Sequence, residues 1–379
     1  MASAIPQEEL AEIVREARAR TGVPAVACGL LAGEAVELVA DGPVEVETPF
    51  RIASITKWFT ASLAALTLDL DNPGPRTWLS HTAGFRPESS EPLPEVCRGL
   101  WSYSNAGYWA VGDACAAATE GSFSDAMRER ILEPLGLGHT SFEEPAGAAP
   151  GHLQEGETGH RATGPVDYPV TRRPSGGLWS TVGDLLRFAA HQLGGPGPLS
   201  ARQVASLREP QAEALGAHYC LGCWRRELDG GRVAFDHEGS AGGYQSLLLL
   251  VPEQEIALAV LTNSWRGSGL IRRVVQRLGL LPARDEGIVQ SAALRVLAPA
   301  RYELDGTEAI AQLRGSLCVS EAETDPLTGV RIERPPYPVE PVGPGVYGFA
   351  GGLLMSHRLD FPRPDVARIG WVALPRAAE

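Results

Sequence analysis

Leu10, Ile13, Val14 and Ala17 recur at helical spacing and predict a helix over Gln7 to Arg20, stopped by Gly22-Val23-Pro24. Two short apolar runs, Ala25–Leu31 and Ala35–Ala40, read as strands joined by the turn Ala32-Gly33-Glu34. A long apolar helical stretch runs from Ile52 to Leu68 and breaks at Asn72-Pro73-Gly74-Pro75. Trp109–Ala118 and Phe123–Leu132 are further helices, and Thr181 with Asp184 three residues on marks the start of another over Val182–Leu193. Glu143–Arg173 reads as a long loop of the kind that builds a binding rim.

The pattern then changes period. His218–Glu227, Val233–His237, Gln245–Val251 and Ile256–Thr262 alternate as strands, with turns at Asp229-Gly230-Gly231 and Pro252-Glu253-Gln254. Ser268–Leu278 closes this part as a helix. A strand pair, a helical middle, consecutive strands and a last helix predict one antiparallel sheet holding both ends of the unit, an α+β fold spanning residues 1–281. Over residues 283–379 short runs (Ile288–Val296, Ser316–Ser320, Val330–Glu333, Val346–Phe349, Ala367–Ala373) alternate with Gly and Pro, which predicts a small all-β domain, a barrel or partial barrel.

Composition narrows the function classes. The chain has 379 residues, 44% hydrophobic and 21% charged, ordinary values for a protein that buries a real core. A net charge of −13 argues against nucleic acid and against an anionic membrane surface as partners. No apolar segment is long enough for a transmembrane helix, and the N-terminus lacks the pattern of a secretory signal, so a cytoplasmic location is expected. The six cysteines (Cys28, Cys97, Cys115, Cys220, Cys223, Cys318) read as buried free thiols. Cys220 and Cys223 form a CxxC without a second ligand pair at zinc spacing, and YCLGCW alternates like a strand. No metal or cofactor is expected.

One count carries chemistry. The 33 basic residues are 32 arginines and a single lysine, Lys57. Arginine serves wherever permanent positive charge is wanted, but it cannot give up a proton near neutral pH, as a desolvated lysine can. Lys57 closes Ser54-Ile55-Thr56-Lys57, an S-x-x-K pattern that on a helix brings an amine over a hydroxyl. A serine hydroxyl is a weak nucleophile until an adjacent base takes its proton. The second element is Tyr103-Ser104-Asn105: the phenol can relay a proton, and the amide can hold Lys57 or a substrate carbonyl. The third is His237-Glu238-Gly239-Ser240. His237 and Gly239 fall on one side of a strand, His237 toward the pocket and Gly239 where a substrate backbone can approach. The backbone N–H groups of Ser54 and Ser240 are candidates for an oxyanion hole. Glu238 points the other way, Tyr108 reads as core, and His81 reads as structural.

These three ordered motifs resemble the serine β-lactamase and penicillin-binding-protein superfamily, and within it the class C-like branch of esterases, D-aminopeptidases, acyltransferases and penicillin-binding-protein-type thioesterases. Supporting phrases are Leu79-Ser-His-Thr-Ala-Gly-Phe85, Ser175-Gly-Gly-Leu-Trp-Ser180 and Leu261-Thr-Asn263. The resemblance covers about residues 5–280. It implies a β-lactamase-like sheet flanked by helices, with a helical subdomain and a lipocalin-like C-terminal domain. Ser54 would be the acylated nucleophile, Lys57 and Tyr103 the proton-transfer pair, Asn105 a substrate-side ligand and His237 the third-motif residue.

The substrates implied are small-molecule or peptide esters, thioesters and amides, with water or an amine as acyl acceptor, in intracellular peptide or natural-product metabolism. Relatives with a histidine third motif and a small C-terminal domain release and cyclise nonribosomal peptides. The competing reading is a non-catalytic relative that binds peptides or β-lactams. Two departures stand out. His237 replaces the lysine that binds a substrate carboxylate in β-lactamases and carboxypeptidases, and the connection Leu70–Leu79 is short.

Overall fold

The computed structural model describes residues 5–281, apart from 156–158, 165 and 229, and a series of strands between residues 300 and 377. The expected sheet is present. In chain order its strands are β1 (Val26–Ala32), β2 (Ala35–Asp41), β3 (Ala212–Ala214), β4 (Ala217–Tyr219), β5 (Trp224–Glu227), β6 (Val233–Ala241), β7 (Tyr244–Val251) and β8 (Ile256–Thr262). They lie side by side in the order 2-1-8-7-6-5-4-3, every neighbour antiparallel.

Helices cover both faces, which is why β7 and β8 are apolar at nearly every position instead of alternating with polar residues. Helices α1 (Gln7–Thr21) and α5 (Gly267–Arg277) lay Leu10, Ile13, Val14, Leu270, Ile271 and Val274 on one face, against Cys28, Leu247, Leu249, Leu258 and Val260. The opposite face presents Leu31, Leu248, Leu250, Ala257 and Leu261 to α2 (Thr56–Thr67) and to α4 (Val182–Gln192), whose Leu185, Leu186 and Phe188 point inward. Between these two comes α3 (Asn105–Ala118), packed on α2. Thr181 caps α4 as its sequence predicts, accepting from the N–H of Asp184 at 3.2 Å.

Three features depart from the expectations. The helix expected to break at Asn72-Pro73 already ends at Thr67, and Asn72 instead begins another: Pro73–Leu79 is helical, with the Asn72 side chain accepting from Gly74 N at 3.0 Å. The run around Cys220 and Cys223 is not a continuous strand. It is the turn between β4 and β5, closed by Cys220 N donating to Cys223 O at 2.8 Å. Gly222 sits there at φ 89°, where an added Cβ would lie 2.7 Å from the Ala61 side chain and 3.0 Å from the Lys57 carbonyl. The long loop also contains the hairpin His152–Glu155 with Gly159–Ala162.

The five cysteines described are buried and free. Among the described residues no helix is long and apolar enough to cross a membrane. The strands after residue 300 form two antiparallel sheets in simple sequential order: four strands from Ala300–Leu304 to Arg331–Pro338, and five from Glu340–Gly343 to Val372–Pro375. The run Ile288–Val296 and the Cys318 side chain lie outside the described residues.

Candidate active site

Ser54 lies in a single 3₁₀ turn, Ala53–Ile55, that leads directly into α2. Ala53 before it adopts φ 47°, a left-handed conformation that costs a residue with a Cβ roughly 1–2 kcal/mol. Neighbouring chain holds it there. Ile52 N donates to Leu178 O at 3.0 Å, Leu178 N donates to Thr56 Oγ1 at 3.2 Å, and Ser246 Oγ donates to Ile52 O at 2.9 Å.

Lys57 follows one turn later and is fully buried on a helix buried from Thr56 to Ala64. Its ammonium nitrogen lies 3.1 Å from Ser54 Oγ, 2.7 Å from Asn105 Oδ1 and 2.5 Å from the backbone carbonyl of Ser175. All three partners are neutral oxygens. Burial drives the lysine well below its ordinary pKa, opposed by the negative charge of Glu88. Asn105 Oδ1 and the Ser175 carbonyl can only accept, so when Nζ is neutral its two N–H bonds go to them and its lone pair faces Ser54.

Tyr103 is buried, with its ring 4.8 Å from Lys57 Nζ. Burial pushes the phenol well above its usual pKa, and a hydrogen bond with Ser54 opposes that push. Tyr103 therefore keeps its proton and is placed to give one, not to act as a phenolate. His81 supports this wall: its Nδ1 accepts from Ser104 N at 3.1 Å and its ring lies 4.2 Å from that of Tyr103. The strand Val372–Pro375 reaches the same wall, with Ala373 N donating to Ser102 Oγ at 3.1 Å. Tyr108 is buried core, its hydroxyl donating to Leu79 O at 2.7 Å.

The third motif needs correction in two places. His237 does lie on the α2 side of β6, its ring centroid 6.4 Å from that of Tyr103, but it is wholly buried instead of lining an open pocket. Its Nδ1 is 2.6 Å from the Glu238 carbonyl and its Nε2 is 3.3 Å from the Tyr219 hydroxyl. A carbonyl can only accept, so Nδ1 carries the proton and Tyr219 donates to Nε2. Burial, reinforced by the charge of Lys57, lowers this histidine to about 3, so it is neutral at physiological pH.

Gly239 is the second correction. An added Cβ would come within 2.2 Å of the Ile52 carbonyl and of Ser246 Oγ. Its missing side chain makes room for the segment carrying Ser54, not for a substrate backbone.

Ser240 turns its side chain to the other face, where Oγ accepts from Gln245 Nε2 at 2.8 Å. The two-residue turn Gly242-Gly243 makes Ala241 and Tyr244 the hydrogen-bonded pair. Alternation then sends the N–H of Ser240 to the other edge of β6, where β5 pairs no residue beyond Asp236. Glu238 points away from His237 as expected, toward Arg226 at 3.8 Å.

Sequence reasoning missed three contributors. The Ser175 carbonyl lies in the phrase Ser175–Ser180, where a side-chain reading cannot see a backbone acceptor. Tyr219 stands in a run read as a continuous strand. Glu88, which accepts from Asn105 Nδ2 at 2.5 Å, sits in Pro87-Glu88-Ser89 without any pattern to mark it.

A serine on a strained turn at a helix start, with a buried lysine and a protonated phenol beside an antiparallel sheet covered on both faces, is an arrangement that suits a serine hydrolase. Comparison with known proteins agrees. The sequence matches the Beta-lactamase family over residues 76–280, just over half the chain, a range that holds Tyr103, Asn105 and His237 but begins after Ser54 and Lys57. The chain thus belongs to the beta-lactamase family, a family of serine hydrolases.

It is similar to Penicillin-binding protein 4 of Amycolatopsis lactamdurans, 30% identical over 43% of this chain and 47% of that protein. It also matches the D-alanyl-D-alanine-carboxypeptidase/endopeptidase AmpH of Escherichia coli, 23% identical over 43% of this chain and 45% of that one. The chain thus spans about half the length, or less, of the curated relatives it matches. Among solved structures, SurE superposes with a TM-score of 0.74 at 22% identity, over 98% of this chain and 99% of that one. A class C beta-lactamase from Rhodobacter sphaeroides gives 0.62 at 20%, over 71% and 97%. Both likenesses show the fold.

Proposed function

We propose that the protein forms an acyl-Ser54 intermediate from an ester, thioester or amide and passes the acyl group to water or an amine. One observation carries this reading: the chain's single lysine is buried among neutral acceptors with its remaining valence aimed at Ser54 Oγ, 3.1 Å away. Neutral Lys57 takes the hydroxyl proton as Oγ attacks the substrate carbonyl. The N–H groups of Ser54 and Ser240 receive the charge that develops on the carbonyl oxygen, a contribution worth about 3–4 kcal/mol per donor in comparable sites. Collapse of the tetrahedral intermediate expels the leaving group, which takes a proton from Tyr103 or Lys57. Water or an amine then attacks the acyl carbon, giving its proton back through the same pair, and Ser54 is released with its hydroxyl restored.

The neutral His237 bears on substrate choice. An imidazole held near 3 offers no charge to a free carboxylate, which favours acyl donors recognised otherwise than β-lactams or cell-wall carboxypeptidase substrates. A SurE structure was solved with D-Leu, so donors and acceptors carrying D-residues belong among the candidates. The five free thiols suit a reducing compartment, and with it intracellular peptide or natural-product metabolism. We also read residues 283–379 as a small accessory β domain of lipocalin-like type beside the catalytic unit 1–281. The sequential antiparallel strands support that division.

Intact-protein mass spectrometry after incubation with esters and thioesters, with and without an added amine, tests the proposal. The expected result is a single adduct that Ser54→Ala abolishes. Turnover by Ser54→Ala at the wild-type rate would end it.

A further inference from the structure

An asparagine amide can face a lysine either way round, and only one way is productive. With oxygen toward Nζ it accepts from the amine; turned over, it would set one donor against another. Glu88 decides between them. Its Oε1 lies 2.5 Å from Asn105 Nδ2, and a carboxylate there requires the nitrogen, so Oδ1 falls 2.7 Å from Lys57 Nζ. Glu88 occupies the turn between the short strands Phe85–Arg86 and Ser89–Pro92, its side chain 34% exposed, with Arg172 3.8 Å from its other oxygen.

We propose that Glu88 is the positioning residue of the site, which holds the oxygen of Asn105 toward Lys57 and supplies the negative charge the lysine senses. It touches no reacting atom and acts through the chain Glu88–Asn105–Lys57–Ser54. The inference rests on the reading of Lys57 as the base. Among the described residues, the titratable groups that face the amine from the neighbouring elements are neutral: His237 and His81 are held neutral by burial, and Tyr103 and Tyr108 keep their phenolic protons. Glu88 is thus the carboxylate whose field favours the ammonium. Removing that charge has one direction: Lys57 loses its proton more readily.

The test measures the rate at which a fluorophosphonate labels Ser54 as a function of pH, in wild type and three variants whose folding is checked by thermal melting. Glu88→Gln keeps an oxygen able to accept from Asn105 but carries no charge. Its plateau rate should stay near wild type, while the acid limb moves to lower pH by about one unit. Glu88→Ala frees the amide, and its plateau should fall, by roughly 10²-fold at most. Glu88→Asp keeps the charge but draws back from Asn105, so it should be slow with an acid limb close to that of wild type. A Glu88→Gln limb that coincides with wild type, or a Glu88→Ala plateau at the wild-type rate, overturns the proposal. Failure of the underlying mechanism looks different: wild-type Ser54 would resist labelling, or Lys57→Arg would label as fast as wild type.

Discussion

Two cations are buried on opposite sides of β6, and the protein treats them in opposite ways. Arg226 lies on the side of Ala234, its Nε 2.5 Å from the carboxylate of Asp236, with Glu238 nearby; the Arg226 and Asp236 side chains are at most 2% exposed. Lys57 lies on the side of His237 and meets only neutral oxygens. Guanidinium keeps its charge in any protein setting, and Arg226 is buried with carboxylates that balance it. An ammonium denied a carboxylate can shed its proton instead, and that is the property a general base needs. One strand thus separates a charge that is fixed from a charge that is released.

Exchanging the two strategies gives the largest expected effect. Lys57→Arg keeps the positive charge in a site without a contacting carboxylate and should lower turnover of any ester substrate by roughly 10⁴-fold or more. Steady-state rates with a p-nitrophenyl ester would show it, and retained activity would remove lysine from the mechanism. The mirror experiment, Arg226→Met, takes the guanidinium away from the buried carboxylates of Asp236 and Glu238 and should cost about 3–5 kcal/mol in urea unfolding. Whatever fraction of that variant stays folded should keep its rate per active site, since Arg226 faces away from Ser54.

Tyr103→Phe retains the aromatic wall and removes a proton carrier, so turnover should fall roughly 10²–10⁴-fold with little change in melting temperature. The smallest effect concerns His237. Its pKa is near 3 in the fold against 6.5 when unfolded, so the unfolded chain takes up the proton first as pH falls. Stability should therefore decline between pH 6.5 and about 3, by up to about 1.4 kcal/mol per pH unit, and the decline should be shallower in His237→Gln. Above pH 6 that substitution should leave the shape of the activity profile unchanged, because the imidazole does not titrate there.

Much of the scaffold was legible in the chain. The long strands and helices declare themselves through period and caps, as with Thr181 at the start of α4 and the turn residues around β6 and β7. Short elements were hidden. The helix Pro73–Leu79 follows its own breaker, and the Cys220–Cys223 turn looks like strand because its apolar residues are buried against α2. At the site, the S-x-x-K spacing and the unique lysine pointed to the amine over the hydroxyl, since residues three apart are neighbours on one helical face, and the 3₁₀ turn that leads into α2 keeps that placement.

What the amino-acid order determined by itself, then, is the local chemistry: which serine stands over which lysine, and which strands alternate. Tertiary structure decided the rest, because it depends on contacts between distant segments. Only the folded chain brings the Ser175 carbonyl and Asn105 onto Lys57, sets Glu88 behind Asn105, and turns His237 from a pocket residue into a buried neutral one tied to Tyr219. Desolvation and hydrogen-bond partners are properties of the packed interior, and no spacing within a single segment encodes them.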